Sequence, residues 1–146
     1  MIINKQYASW LNTFKWDYFI TLRSHYKYNY MTVRGWMNKL YKQSPVTKVF
    51  YVTERDRGDW TSTHTHALVA SNTEMSYKDF KKNINCSVGD YQIVNDNEGV
   101  TKYVTKFVDK KVDYDFIGDF SSWNIWTYPV LEFYFLFINA SVHVMW

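Results

Sequence analysis

Two strand-like runs, TKVFYVTE at 47–54 and THTHALVA at 63–70, are separated by a short polar stretch that begins RDRGDW at 55–60. β-branched and aromatic residues flanking a tight Gly/Asp turn form a hairpin, here with Gly58 and Asp59 at its tip. The second run is the return strand of that hairpin, so the two pair antiparallel. The flanking text continues the pattern. DYFITLRS at 17–24 reads as a strand. At 29–43, Met, Val, Trp, Leu and Tyr recur by threes and fours, which predicts a helix; Gly35 lies inside it and Pro45 just beyond it. SYKDFKKNI at 76–84 predicts a short helix capped by Ser76, with Asp79 three residues on. SVGDYQIVN at 87–95 predicts a strand with a bulge at Gly89, and 97–112 a basic amphipathic helix.

The order β-α-β-β-α-β-α places the chain in the α+β class. Its first six elements give a ferredoxin-like or RRM-like four-stranded antiparallel sheet with helices on one face. The added C-terminal helix needs another place to dock. After Val112 the sequence turns aromatic and loses its periodicity. The predicted division is therefore a domain at 1–112 and an extension of uncertain structure at 113–146.

A chain of 146 residues is long enough to bury one core. Aromatic residues make up 21% of it, more than such a core needs. Surplus surface rings can stack on nucleic-acid bases, although an A/T-rich gene produces the same composition. The net charge of +3 is compatible with a nucleic-acid partner. One cysteine, Cys86, excludes a disulfide framework and fits an intracellular protein. The start MIINKQYASW lacks the features of a secretion signal. The most apolar stretch, 125–138, is too short to span a bilayer and contains Pro129 and Glu132. The expectation is a cytoplasmic, non-secreted protein with no membrane partner.

Alternate residues of a strand share a face, so His64 and His66 project in parallel. That spacing lets two imidazoles hold one metal ion. If the turn centres on Asp59, residues whose numbers sum to about 118 face each other, which sets Glu54 opposite His64. An even sum keeps Glu54 on the histidine face; an odd one turns it away. Two nitrogens and a carboxylate would leave positions open for substrate. A bare pair of histidines on a wet sheet face is the plainer alternative. Around the predicted last helix, Val100, Val104, Phe107 and Val108 form an apolar arc opposite Lys102, Lys106, Asp109 and Lys110, with Tyr103 at the boundary. A phenolic oxygen held among ammonium groups is a candidate nucleophile, and the same lysines could hold a phosphate. An ordinary solvated lysine face is the alternative here. Arg23, Arg55 and Arg57 are candidate phosphate contacts, and Trp60 a stacking ring; for Arg55 and Arg57, solubilising a turn is the alternative.

In order along the chain, Phe19, Thr21 and Leu22 of FITLRS, His64 and His66 of THTHALVA, and Tyr103 and Lys106 of YVTK match the three motifs of the HUH superfamily. From about residue 15 to Val112 the chain resembles the small single-domain Rep endonucleases that initiate rolling-circle replication of plasmids, phages and single-stranded DNA viruses. Thr65 replaces the usual hydrophobic residue between the histidines, and Phe107 stands where two-tyrosine members carry the second tyrosine. The resemblance implies single-stranded DNA at a replication origin as substrate. It implies Mg²⁺ or Mn²⁺ held by Glu54, His64 and His66, Tyr103 as the sole nucleophile forming a 5′-phosphotyrosine link, and Lys106 neutralising charge on the phosphate. No Gly-rich phosphate loop follows, so a host helicase and polymerase are the expected partners. Single-tyrosine HUH transposases, which generally pair the tyrosine with glutamine, are one alternative. A non-catalytic RRM-like nucleic-acid-binding module is another, though KVFYVTER supplies rings without the RNP consensus.

Overall fold

The computed structural model describes residues 2–23, 28–43, 45–55, 63–84, 87–106, 108, 110 and 112–120. The elements are α1 Ile2–Leu11, β1 Tyr18–Arg23, α2 Tyr30–Tyr41, β2 Val46–Arg55, β3 Thr63–Ser71, α3 Tyr77–Asn83, β4 Ser87–Ile93, α4 Asn97–Thr105 and β5 Asp113–Gly118. The strands form one antiparallel sheet in the order β4-β1-β3-β2-β5. The fold is α+β, and the arrangement of β1 to β4 with α2 and α3 is the ferredoxin-like one. Among the described residues, no helix is long and apolar enough to cross a membrane.

Local signals account for most of these elements. Asn29 caps α2 by accepting a hydrogen bond from the Thr32 N–H. The Asp79 carboxylate accepts from both the N–H and the hydroxyl of Ser76 at the start of α3. Gly89 is the extra residue of a bulge, because Thr21 pairs with Asp90 while Leu22 pairs with Val88. The tip of the β2–β3 hairpin, with Gly58 and Asp59, lies outside the described residues.

Alternation along the strands divides the core in two. Tyr18, Ile20, Leu22, Val49, Tyr51, Ala67 and Val69 are buried on one face, under Val33, Met37 and Leu40 of α2 and Phe80 of α3. Phe19, Phe50, Val52, Leu68 and Ala70 are buried on the other, under Tyr7, Trp10 and Leu11 of α1 and Val104 of α4. Helices therefore cover both faces, not one; the second face is where the last helix docks. Burying both faces is favourable because each strand alternates apolar side chains to either side.

Two elements were not anticipated, and one is shorter than predicted. α1 buries Tyr7, Trp10 and Leu11, and Phe14 follows just beyond it, so the residues recur by threes and fours. β5 pairs with β2, placing Phe116 opposite Phe50, so the first residues of the 113–146 segment belong to the sheet. From residue 121 onward that segment lies outside the described residues. α4 ends at Thr105 instead of continuing to 112. There the Thr105 hydroxyl donates to the Thr101 carbonyl, and the chain leaves through bonds from Lys106 N–H to Tyr103 and from Val108 N–H to Thr105. This exit still buries Val108 and lets the chain reach the edge of β2. Of the predicted apolar arc, Phe107 lies outside the described residues, as does Asp109 on the opposite side.

Trp10 tests whether α1 is integral. Its ring packs edge-on against Phe14 and Phe116, with centroids 5.5 and 4.8 Å apart. Trp10→Ala should cost about 3–5 kcal/mol of stability, read as a lower urea midpoint. A change below about 0.5 kcal/mol would mean α1 is a surface appendage.

Candidate metal centre

The site grows out of the face that α1 and α4 cover. Toward the hairpin end, the inward positions on three adjacent strands change from apolar to polar together. Strand β1 runs Phe19, Thr21, Arg23; β3 runs Leu68, His66, His64; β2 runs Phe50, Val52, Glu54. Cross-strand register joins them, with Arg23 opposite His64 and His64 opposite Glu54, then Thr21 opposite His66. The pairing sum is 118 from Lys48–Ala70 to Arg55–Thr63, so Glu54 sits on the histidine face.

Glu54, His64 and His66 are all buried, at 4%, 9% and 3% exposure. One candidate ligand atom from each lies within 4.8 Å of the others. His64 Nε2 is 3.7 Å from Glu54 Oε2, too long for a hydrogen bond. Glu54 Oε1 and His66 Nε2 are buried with no hydrogen-bond partner. Buried polar atoms are normally satisfied, so this convergence of orphaned acceptors fits a divalent cation bound by two imidazoles and one carboxylate. Burial, then the neighbouring His64, pushes the His66 pKa down to about 4, with Glu54 opposing. Its imidazole is therefore neutral near pH 7, the state a metal ligand requires.

Thr21 was missed as a site residue, although it stands in the FITLRS segment. Its hydroxyl lies 3.0 Å from His66 Nδ1, with both groups buried. A hydroxyl that accepts the Nδ1–H leaves the Nε2 lone pair toward Glu54 and His64, the usual second contact of a metal-bound imidazole. Thr21→Val should weaken Mn²⁺ binding about 10–100-fold, measured by calorimetry. An unchanged affinity would show that the hydroxyl does not orient the ring.

α4 brings the third motif to this place. The Tyr103 ring stands edge-on to His66, with centroids 5.1 Å apart, and edge-on to Phe19 at 5.8 Å. The Lys106 ammonium lies 3.9 Å from the centre of the same ring, a cation–π contact. Tyr103 is 45% exposed, so part of its ring faces solvent. The helix is fixed by Asp96, whose carboxylate accepts from the Gly99 N–H, and by Asn97, whose side chain binds Asn12 and the Phe14 carbonyl.

Arg23 ends β1 exposed and directly opposite His64, which puts it at the rim of the triad. The Arg55 backbone pairs with Thr63 beside the triad. Arg57 and Trp60 lie outside the described residues. A groove of about 490 Å³ opens between β4 and α4, with Thr21 and Tyr103 among its walls. A second, of about 540 Å³, lies between α1 and α4 and is lined by Lys5, Lys102 and Lys106. α1 thus adds Lys5 as a candidate phosphate contact that the sequence reading did not single out.

A family model described as "Virus, 117-like" matches residues 13–112. No functionally curated protein matches the chain. Among solved structures, the chain is similar to the hypothetical protein ORF119 from Sulfolobus islandicus rod-shaped virus 1. That match has 22% identity and a TM-score of 0.49, and it covers 75% of this chain and 96% of that one.

Proposed function

The chain belongs to the viral 117-like family, and for this member we propose a metal-dependent endonuclease that nicks and rejoins single-stranded DNA inside the host cell, at the origin of a virus that replicates by a rolling circle. The observation that carries this reading is the meeting of His66 and Tyr103. They come from segments 37 residues apart in sequence (103 − 66) and lie with rings 5.1 Å apart. A nucleophile beside a two-histidine, one-carboxylate cluster is the arrangement that phosphoryl transfer needs.

Each residue then has a task. A Mg²⁺ or Mn²⁺ ion held by Glu54, His64 and His66 would polarise the scissile phosphate. The Tyr103 oxygen attacks phosphorus, forming a phosphotyrosine bond to the 5′ end of the downstream fragment, while the bond from phosphorus to the 3′ oxygen of the upstream fragment breaks. The phenolic proton leaves to water, and the departing 3′ oxygen takes one from water. Lys106, one turn along and already over the ring, offsets negative charge that builds on the phosphate oxygens. Arg23 holds the flanking backbone at the rim. The free 3′ hydroxyl can prime synthesis or attack the phosphotyrosine to rejoin the strand.

The test incubates the full chain with Mn²⁺ and end-labelled single-stranded fragments of the parent replicon, followed by a denaturing gel. A covalent protein–DNA band is the expected result. A protein that binds these fragments and never forms that band is a binding module, and the proposal falls.

A further inference from the structure

Resting on that reading, we infer that the groove between β4 and α4 is a base-selecting subsite: it takes the unstacked base of a nucleotide next to the scissile phosphate and prefers bases with an exocyclic amine over thymine.

Register places the groove. Asp90 pairs with Thr21, which pairs with His66; Gln92 pairs with Phe19. Directly opposed residues share a face, so Asp90 and Gln92 stand on the same face as the triad. Two strand spacings, about 10 Å, separate Asp90 from His66. A nucleotide whose neighbouring phosphate sits at the triad spans that distance.

The lining determines what can enter. Phe19 and Tyr103 supply aromatic wall, while Asp90, Gln92 and Asn95 supply hydrogen-bonding groups, and among the described residues no lysine or arginine lines the groove. The side chains of Asp90, Gln92 and Asn95 have no hydrogen-bond partner among the described residues. Asp96, also in the lining, already caps α4 through the Gly99 N–H. The Asp90 carboxylate disfavours phosphate in this groove, which leaves the sugar–phosphate chain to the other side of α4, where Lys5, Lys106 and Lys102, the last paired with Glu98, lie. A base is neutral and flat. Asp90 accepts hydrogen bonds only, which suits the exocyclic amine of cytosine, adenine or guanine. The amides of Gln92 and Asn95 can donate to ring nitrogens or carbonyls beside that amine. Thymine offers two carbonyls and a methyl group to a carboxylate, with one ring N–H between the carbonyls.

The test is binding, which does not depend on cleavage. The ¹⁵N-labelled full chain is titrated with the pentanucleotides dC5 and dT5. dC5 should bind about tenfold more tightly than dT5 and move the side-chain amide signals of Gln92 and Asn95. Asp90→Asn should shrink the preference below about twofold, whereas Lys102→Ala should weaken both ligands alike. Equal affinity for dC5 and dT5, unmoved Gln92 and Asn95 signals, or a preference that survives Asp90→Asn overturns the inference. A covalent adduct formed without any base preference removes the subsite and leaves the nuclease standing. A base preference without any adduct removes the nuclease and leaves the groove as a base-binding site.

Discussion

Tyr103→Phe protein should bind single-stranded DNA as the wild type does and form no covalent adduct with it. The substitution removes one oxygen. The ring that rests on His66 and Phe19 and under the Lys106 ammonium stays. Because the residue is half exposed, the fold should lose less than about 0.5 kcal/mol. With no attacking oxygen, the rate of strand transfer should fall by at least about a thousandfold. The chain holds 13 tyrosines, so the wild-type adduct must be located by peptide mass and not by its presence alone. An adduct on Tyr103→Phe protein, or a wild-type adduct on another tyrosine, would assign the nucleophile elsewhere.

His66→Ala should abolish Mn²⁺ binding in the accessible range, a loss of at least about a hundredfold, and cleavage with it. Its Nε2 is the orphaned acceptor aimed at Glu54 and His64, while its Nδ1 is already engaged by Thr21. His64→Ala should behave similarly. Glu54→Gln should weaken binding less, because an amide oxygen remains to coordinate. Thermal melts separate metal loss from misfolding. Ligand bound only by the native state raises its stability, by about 2.7 kcal/mol at a hundred times Kd. Wild-type protein should therefore melt higher in Mn²⁺, and folded His66→Ala protein should not respond. A wild-type protein that binds no Mn²⁺ at millimolar concentration has no such centre.

The parts of this molecule that were legible in its sequence are those whose signals are local. β-branched and aromatic runs between turn residues marked β1 to β4, spacing by threes and fours marked α2, and the Ser76–Asp79 pair marked α3. Even the Glu54–His64 contact followed from arithmetic across one short turn. What escaped depends on distant partners. DYDFIG carries two aspartates and only six residues, and becomes a strand because β2, more than 50 positions earlier (113 − 55 = 58), leaves its edge open. The spacing of Tyr7, Trp10, Leu11 and Phe14 was present, but the face that it covers is built by β1, β2 and β3 later in the chain. Thr21 shows no sign of its role until β1 lies beside β3 and its hydroxyl meets His66. The end of α4 was overrun because Val108 keeps the helical spacing after the helix has stopped.

The helical cover on the triad's face of the sheet joins an N-terminal helix to a much later one: Asn4 of α1 donates to the Lys106 carbonyl across 102 positions of sequence. On the ribosome this has an order. The hairpin that holds Glu54, His64 and His66 emerges first, with α2 already able to shelter its opposite face. The face bearing Phe19, Phe50 and Leu68 lacks the α4 part of its cover until residues 97–105 have been made. At about 5–20 residues per second that interval lasts some seconds. A nascent chain therefore carries the histidine pair before the helix that packs beside it exists. Over the same interval it exposes apolar side chains that the finished fold buries. The last part of that cover arrives with the helix that carries Tyr103.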